Sequence, residues 1–231
     1  MTAIVAVDGP SGSGKSSVSR GVAERFGYRY LDTGAMYRAA TWFMLDRDVD
    51  PADPVAVAAA LPDLTITSGT DPMAPTISVN GVDVSTPIRG DDVTSAVSLV
   101  SAVPEVRRAM RDLQRRVAAE ASRDGAGIVV EGRDIGSEVL PDADAKIYLT
   151  ADPAVRAARR AAQDADSVHG TAGVAATEES LRRRDELDTT RASSPLRMAE
   201  DAHLVDATEL DLDATISAVC AIVTQALGEP T

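Results

Sequence analysis

Eight residues near the start of the chain decide the fold: Gly9-Pro10-Ser11-Gly12-Ser13-Gly14-Lys15-Ser16. They match the pattern G-x-x-x-x-G-K-[ST] of a phosphate-binding loop, which joins a strand to a helix. Residues 3–8, directly before the loop, form a short apolar run that is typical of a buried strand. After the loop, Val18, Val22 and Phe26 have the four-residue spacing of a helix with one buried face. The context agrees with the motif, so we predict a phosphate-binding loop rather than a glycine-rich turn without a ligand.

The chemistry of this loop follows from its residue types. Glycines let backbone N–H groups approach phosphate oxygens, and the following helix adds the positive end of its dipole. Lys15 is predicted to reach the β- and γ-phosphates of a nucleotide, and the Ser16 hydroxyl is predicted to ligate Mg²⁺. The predicted nucleotide-binding residues are Gly9, Pro10, Ser11, Gly12, Ser13, Gly14, Lys15, Ser16 and Ser17. The loop alone leaves open a kinase, an ATP-driven motor and a nucleotide-dependent switch.

Length and composition restrict the function further. A chain of 231 residues suits one large domain, or one domain with an inserted subdomain. The net charge of −13 argues against broad binding to nucleic acid or to anionic membranes. The single Cys220 excludes an intrachain disulfide, and two histidines leave little material for a histidine-based metal site. Because the chain has neither an apolar run of ~20 residues nor a signal-peptide pattern, we expect a cytoplasmic protein that binds neither membranes nor nucleic acid.

Five short apolar runs alternate with helical patterns along the chain. They cover residues 3–8, 28–31, 127–130, 146–149 and 203–206. Buried strands that alternate with helices form a parallel sheet covered on both faces. We therefore predict an α/β fold with a five-stranded parallel sheet flanked by helices.

An insert of different character interrupts this alternation. Residues 64–67, 76–79 and 82–84 are strand-like, and Asn80-Gly81 separates the last two of these segments. Asn-Gly favours a type I′ hairpin turn, in which both central residues have positive φ. We therefore predict a small antiparallel insert at about residues 63–103.

A lid is predicted near the carboxyl end. Residues 163–177 are small and polar and contain glycine, which predicts a mobile loop, and residues 182–191 are dense in charge. We expect about residues 163–191 to close over the site. The core of the single domain would then comprise residues 1–62, 104–162 and 192–231.

Two polar clusters follow predicted strands directly. The first is Leu31-Asp32-Thr33-Gly34-Ala35-Met36-Tyr37-Arg38, and the second is Glu131-Gly132-Arg133-Asp134. In open α/β sheets the carboxyl ends of the strands form the ligand crevice. We therefore expect both clusters to face the same crevice as the phosphate loop.

Together these motifs resemble those of one known family, the bacterial cytidylate kinases (CMP kinases). The resemblance is carried by residues 9–16, 31–38 and Glu131-Gly132-Arg133-Asp134-Ile135-Gly136, in this order, and it covers essentially the whole chain. The spacing of Arg184, Asp185, Asp188 and Arg191 is similar to the lid motif of the family. The resemblance implies a phosphate-loop kinase core, and it implies that the antiparallel insert is the enlarged nucleoside-monophosphate-binding subdomain.

The activity that this resemblance implies is transfer of the γ-phosphoryl of ATP to CMP or dCMP, with Mg²⁺ as cofactor. The catalytic residues would be Lys15, Arg133, Arg184 and Arg191. The resemblance assigns the acceptor phosphate to Ser11, Arg38, Arg133 and Arg191, the ribose to Arg184 and Asp188, and the cytosine to Ser98, Arg107 and Asp134. Thr33 and Tyr37, in the cluster after the second strand, would complete the substrate site.

Several alternatives remain open from the sequence. The acceptor of a related kinase would be UMP, AMP or shikimate, and a non-catalytic ATP-binding switch would have no acceptor at all. Arg107 and Arg184 can also be interpreted as solvated surface residues. Arg156, Arg159 and Arg160 either contact ATP phosphates or lie on a solvated helix face. We expect a monomer, since no long exposed apolar stripe is evident.

Overall fold

The computed structural model of the protein describes residues 2–165, 174–190 and 196–228. Within these ranges, the side chains of residues 163–165, 174–177, 180 and 184 are not described. The described strands are β1 (Ile4–Asp8), β2 (Arg29–Asp32), β3 (Ile66–Ser68), β4 (Ile77–Val79), β5 (Val82–Asp83), β6 (Ile128–Glu131), β7 (Ala145–Thr150) and β8 (His203–Asp206). The described α-helices are α1 (Lys15–Phe26), α2 (Thr33–Asp46), α3 (Pro54–Ala60), α4 (Asp91–Ala102), α5 (Pro104–Arg123), α6 (Pro153–Ala165), α7 (Val174–Thr190) and α8 (Leu212–Ala226).

The main sheet has the strand order β2-β6-β1-β7-β8, and every neighbouring pair is parallel. The predicted five-stranded parallel sheet is therefore confirmed. Strand β1, which leads into the phosphate loop, lies at the centre. Val7 is paired with Glu131, and Glu131 is paired with Asp32. The polar residues that follow β1, β2 and β6 consequently meet at one edge of the sheet.

Helices cover both faces of this sheet, and the alternation of residues along the strands explains why. Ala6 and Val130 point into one apolar core, which also contains Phe43 of α2 and Met110 of α5. Their sequence neighbours point the opposite way, as the two-residue period of a strand requires. Those neighbours pack with residues of α1 and α8 in a second core, which contains Val5, Val7, Val18, Val22, Val129, Ile216, Val219 and Val223. Strand β8 differs from the prediction of a buried strand, because it lies at the edge of the sheet and buries only Val205.

The antiparallel insert is confirmed as a sheet of order β3-β4-β5. Asn80 and Gly81 have φ angles of 49° and 83°, as the hairpin turn requires. The side chain of Asn80 accepts a hydrogen bond from Thr65 N–H and donates one to the carbonyl of Asp63, which ties the turn to the start of β3. Ile77 belongs to the same apolar core as the main sheet. The insert is therefore packed on the core.

The prediction of a loop over residues 163–177 is wrong at both ends. Helix α6 continues to Ala165, and α7 already begins at Val174. Alanine and glutamate are strong helix formers, and they dominate residues 175–179. Residues 166–173, the remaining part of that prediction, lie outside the described residues. None of the described helices is both long enough and apolar enough to cross a membrane.

Replacing Gly81 with alanine should destabilise the insert. Its φ of 83° lies in the left-handed region, which residues with a Cβ adopt only with strain. We expect the free energy of unfolding to fall by about 1 kcal/mol, measured as a lower urea midpoint at an unchanged m-value. Thr67→Ala, at an exposed position of the same small sheet, is the control and should change stability by less than about 0.5 kcal/mol. Equal losses in both variants would contradict a penalty specific to the turn.

Candidate active site

The phosphate loop lies directly against the main sheet. A Cβ on Gly9 would come within 2.0 Å of the carbonyl oxygen of Leu149 in β7, so only glycine allows this approach. Gly14 precedes α1 with a φ of 92°, and no side chain caps the helix there. The first N–H groups of α1 therefore have no side-chain acceptor at the helix cap, which is the arrangement that binds phosphate at a helix N-terminus.

Lys15 is buried at the end of this loop. Its ammonium group donates to the carbonyl of Pro10 over 2.6 Å and to the hydroxyl of Ser13 over 3.4 Å. Burial, followed by the positive charge of Arg133, lowers the pKa of Lys15, and the carboxylate of Glu131 opposes this shift. A phosphate placed beside Lys15 would supply the negative charge that the ammonium group needs in a buried position.

Glu131, the first residue of the second polar cluster, is a site residue with contacts of its own. Its Oε1 accepts hydrogen bonds from the hydroxyls of Ser16, over 2.7 Å, and Tyr30, over 2.8 Å. Its Oε2 is buried and has no hydrogen-bond partner. Burial, and then the negative charge of Asp32, raise the pKa of Glu131. An acid directly after a buried strand was the available signal, but its partners become visible only when β1, β2 and β6 are placed side by side.

The donor set around Ser16 fits a magnesium ion that is held mostly by other ligands. In the described part of the chain there is no cluster of three or more His, Cys, Asp or Glu residues able to hold a metal. Mg²⁺ suits a sparse protein site, since it keeps several waters and binds one or two protein oxygens together with substrate phosphates. The Ser16 hydroxyl and the unpartnered Oε2 of Glu131 provide oxygen atoms of this kind.

A cavity of about 480 Å³ lies in front of the phosphate loop. It brings together most of the predicted site residues: Ser11, Gly12, Gly14, Lys15, Ser16, Ser17, Thr33, Tyr37, Arg38, Ser98, Arg107, Arg133, Asp134 and Asp188. Asp32, Glu131 and Arg160 also line it. Gly9, Pro10 and Ser13 belong to the loop but do not line the cavity. Arg191 lies outside the described residues, and Arg184 lies on α7 with its side chain outside the description.

Arg107 and Asp134 form a buried ion pair in this cavity. Arg107 Nη2 lies 2.5 Å from Asp134 Oδ2, and the two side chains are only 7% and 8% exposed. The guanidinium group also lies over the ring of Tyr37, 5.7 Å from its centroid. The interpretation of Arg107 as a solvated surface residue is therefore wrong. Ser98 is half-buried on α4 and lines the same cavity.

Asp8 supports the segment that carries Arg133 and Asp134. Its two carboxylate oxygens accept hydrogen bonds from the backbone N–H groups of Ile135 and Gly136, each over 2.8 Å. These residues begin a single π-helical turn directly after Asp134. Burial raises the pKa of Asp8 to about 6, against the effect of the two backbone hydrogen bonds. The last residue of β1 therefore connects the phosphate loop with the second polar cluster.

The remaining predicted arginines link the core to neighbouring elements. Arg38 donates to the carbonyl of Ile88, over 3.1 Å, and to the hydroxyl of Thr94 in the insert, over 2.9 Å. Arg133 Nε donates to Asp188 Oδ2 of α7 over 3.1 Å. Thr33 binds within the core instead: its hydroxyl donates to the carbonyl of Glu131 over 2.6 Å.

Two of the three arginines of α6 bind protein carbonyls. Arg156 is buried and donates to the carbonyls of Ala151 and Ser11, so it does not lie on a solvated helix face. Arg159 donates to the carbonyls of Ala207 and Leu210. Arg160 lines the cavity.

The central phosphate loop and the arginines that face it across one cavity define a class of protein, the phosphate-loop kinases with a small-molecule acceptor. A crystal structure of an uncharacterized protein from Eubacterium ventriosum shares this fold, with a TM-score of 0.53 and 12% identity. The structural match covers 97% of this chain and 99% of the Eubacterium ventriosum chain.

Sequence comparisons identify the family within this class. A family model described as cytidylate kinase matches residues 5–227. The cytidylate kinase of Streptomyces avermitilis is 54% identical over 220 residues, which are 95% of this chain and 92% of the relative. The cytidylate kinase of Nocardia farcinica is 55% identical over 225 residues, which are 97% of this chain and 95% of the relative. The chain belongs to the cytidylate kinase family.

Substituting Asp8 with asparagine should change how stability depends on pH. Because burial raises the pKa of Asp8 from 3.8 to about 6, the proton is bound more tightly in the folded state. The resulting stabilisation is fully present below the unfolded pKa and is lost as the pH rises through about 6. Between pH 7.5 and pH 5, wild type should therefore gain about 1 kcal/mol relative to Asp8→Asn, measured by urea unfolding at each pH.

The control for this experiment is Asp142→Asn, which removes an exposed carboxylate. The stability difference between wild type and Asp142→Asn should stay constant over the same pH range, because folding leaves this side chain exposed to solvent. A constant difference for Asp8→Asn as well would contradict the raised pKa of Asp8.

Proposed function

We propose that this protein transfers the γ-phosphoryl of ATP to the 5′-phosphate of CMP or dCMP, giving ADP and CDP or dCDP. Membership of the cytidylate kinase family supports the nucleotide kinase activity. The observation that carries the choice of acceptor is the buried pair of Arg107 and Asp134, which shares a cavity with the phosphate loop. A carboxylate beside an arginine offers both the acceptor and the donors that a cytosine ring requires.

The transfer step requires positioning and neutralisation of charge rather than a strong base. The attacking phosphate oxygen of the acceptor is already anionic at neutral pH, and negative charge spreads over the transferred group in the transition state. Lys15, at the end of the loop, would neutralise charge on the β- and γ-phosphates. Ser16, oriented by Glu131 through a 2.7 Å hydrogen bond, would hold Mg²⁺. The bound ion would add positive charge where the β- and γ-oxygens lie.

The acceptor phosphate would be held by residues from different elements: Ser11, Arg38, Arg133 and Arg191. Arginine suits this role, because its planar group donates two parallel hydrogen bonds to phosphate. Arg184 and Asp188 would contact the ribose, and Thr33 and Tyr37 would line the substrate site. Arg133, Arg184 and Arg191, together with Lys15, would carry the catalytic charge stabilisation.

The base would be recognised by Ser98, Arg107 and Asp134. Cytosine presents an amino donor together with acceptors at N3 and O2, so the carboxylate of Asp134 would accept from the amino group. Uracil presents a carbonyl in place of that amino group and would face the carboxylate with an acceptor. A buried mismatch of this kind costs on the order of 1–3 kcal/mol for each unsatisfied group. Kinases of UMP, AMP or shikimate do not need this arrangement, and a non-catalytic switch needs no acceptor site.

The protein is proposed to act as a monomer in the cytoplasm, without binding nucleic acid or membranes. The net charge of −13 supports the absence of binding to nucleic acid and anionic membranes. Among the described residues, the exposed large apolar side chains belong to several different elements rather than to one stripe, which supports a monomer.

Closure of the insert, about residues 63–103, and of the lid, about residues 163–191, is proposed to accompany substrate binding. Closing both would exclude water and prevent hydrolysis of ATP. We expect CMP and a non-hydrolysable ATP analogue to slow hydrogen exchange in both segments, measured by mass spectrometry. The exposed end of α3 serves as the internal control and should exchange at the same rate. Unchanged exchange in both segments would contradict closure.

Turnover should depend on the acceptor. We expect ADP release with Mg²⁺ and ATP in the presence of CMP or dCMP, and little release with UMP, AMP or shikimate. Comparable turnover with UMP would contradict base recognition by Ser98, Arg107 and Asp134. ATP binding without turnover on any acceptor would overturn the kinase proposal in favour of the switch.

Asp134→Asn should relax the choice of base. The variant replaces one carboxylate oxygen with an amide N–H₂ group, which can donate to the uracil carbonyl. We expect kcat/KM for CMP to fall by about 10–100-fold, while the ratio of CMP to UMP turnover falls by at least about tenfold. Glu105→Gln, an exposed substitution on the same helix as Arg107, should leave both quantities unchanged. An unchanged CMP to UMP ratio in Asp134→Asn would show that Asp134 does not read the base.

A further inference from the structure

The ion pair of Asp185 and Arg156 binds the backbone of Ser11 in the phosphate loop. Ser11 N–H donates to Asp185 Oδ1 of α7 over 3.2 Å. Arg156 Nη1 of α6 donates to the carbonyl oxygen of Ser11 over 3.0 Å. The same nitrogen lies 2.5 Å from Asp185 Oδ2. Both backbone polar groups of Ser11 are therefore bound by this one pair.

The surroundings leave this contact little freedom. Arg156 is 9% exposed, and its Nε donates to the carbonyl of Ala151 over 3.1 Å, which fixes the guanidinium group at a second point. A Cβ on Gly12 would come within 2.9 Å of the carbonyl oxygen of Arg156 and within 3.3 Å of the side chain of Leu181. The loop is thus packed directly against α6 and α7, and a shift of either helix would be transmitted to Ser11.

Helix α7 is attached to the site at a second point. Asp188 lies three residues after Asp185, so both carboxylates are on the same face of the helix. Asp188 accepts a hydrogen bond from Arg133 over 3.1 Å. One face of α7 therefore binds Ser11 on the phosphate loop and Arg133 after β6, and both of these residues are proposed to hold the acceptor phosphate.

We propose that Asp185 and Arg156 are positioning residues for phosphoryl transfer: they fix the backbone of Ser11 so that the Ser11 hydroxyl is aimed at the acceptor phosphate. This inference rests on the proposed function, because it takes CMP as the acceptor. The pair also makes the contact at Ser11 dependent on the position of α7. A role in stability alone is a weak explanation of the pair, since well-packed apolar side chains commonly stabilise a fold as well as a buried ion pair does.

The test uses Asp185→Asn, which keeps the shape of the side chain and removes the charge that pairs with Arg156. We expect the KM for CMP to rise by about tenfold and the KM for ATP to change by less than about twofold. Arg156→Lys keeps the positive charge but loses the planar group that reaches two carbonyls, and it should act in the same direction. Glu186→Gln removes a charge from an exposed position on the same helix and should leave both KM values unchanged. A fall in kcat with an unchanged KM for CMP in Asp185→Asn would overturn the proposal.

A double-mutant cycle with Ser11→Ala tests whether Asp185 acts through Ser11. If it does, Ser11→Ala should raise the KM for CMP several-fold in wild type and by less than about twofold in the Asp185→Asn background. Additive effects would overturn the inference, even if each variant alone weakens CMP binding. Thermal unfolding of every variant separates this result from a loss of folded protein.

Hydrogen exchange of the Ser11 amide provides a readout that needs no activity. Exchange measured by NMR should be about tenfold faster in Asp185→Asn than in wild type, and equally slow in Glu186→Gln and wild type. Unchanged exchange in Asp185→Asn would overturn the link between α7 and the loop. If wild type releases no ADP with CMP, the proposed function fails and the positioning role fails with it. If wild type is active with CMP and the variants of Asp185 and Arg156 have the same KM for CMP as wild type, the positioning role alone fails.

Discussion

The burial of charge at the carboxyl edge of the parallel sheet is the constraint on which the rest of the structure depends. Asp8 ends β1, Glu131 ends β6 and Lys15 begins α1, and each of the three is less than 10% exposed. A buried charge is tolerated only when it is paired or hydrogen-bonded, so each carboxylate here has its own donors. Asp8 has two backbone N–H groups, and Glu131 has two hydroxyls. The unusual pKa values of these groups are the consequence of keeping them in this position.

The same edge serves both halves of the proposed reaction. The phosphate loop continues from β1 into α1, whereas Thr33, Arg133 and Asp134, which are among the residues proposed to bind the acceptor, follow β2 and β6. Because β6 lies between β1 and β2, the two groups face each other across one cavity. Asp8 belongs to the strand of the first group and hydrogen-bonds the turn that follows the second. The spacing between the phosphate loop and the polar residues after β2 and β6 is therefore set by neighbouring strands of one sheet.

Features that depend on residues adjacent in the sequence could be predicted, whereas features that depend on the order of the strands in the sheet could not. The phosphate loop and the Asn80-Gly81 turn are local, since their backbone angles follow from glycine and asparagine at fixed positions. The pairing of Arg107 with Asp134, and of Ser11 with Asp185, joins residues far apart in the chain. These contacts can be predicted only once the sheet order β2-β6-β1-β7-β8 is known. The start of α7 was not predicted for another reason, because small residues such as Ala175 and Ala176 occur both in loops and in helices.

The pair of Arg133 and Asp188 explains how a site of this kind would distinguish a nucleotide from free phosphate. Arg133 Nε donates to the carboxylate of Asp188 over 3.1 Å. In the proposed complex, Arg133 would turn to the acceptor phosphate, and a ribose hydroxyl would donate to Asp188 in its place. Inorganic phosphate would draw Arg133 away from the buried carboxylate of Asp188 and would offer it no sugar hydroxyl, and separating a buried ion pair costs free energy. A ligand that carries both a phosphate and a sugar hydroxyl would replace the contact that the ion pair loses, so this selection would operate before any contact with the base.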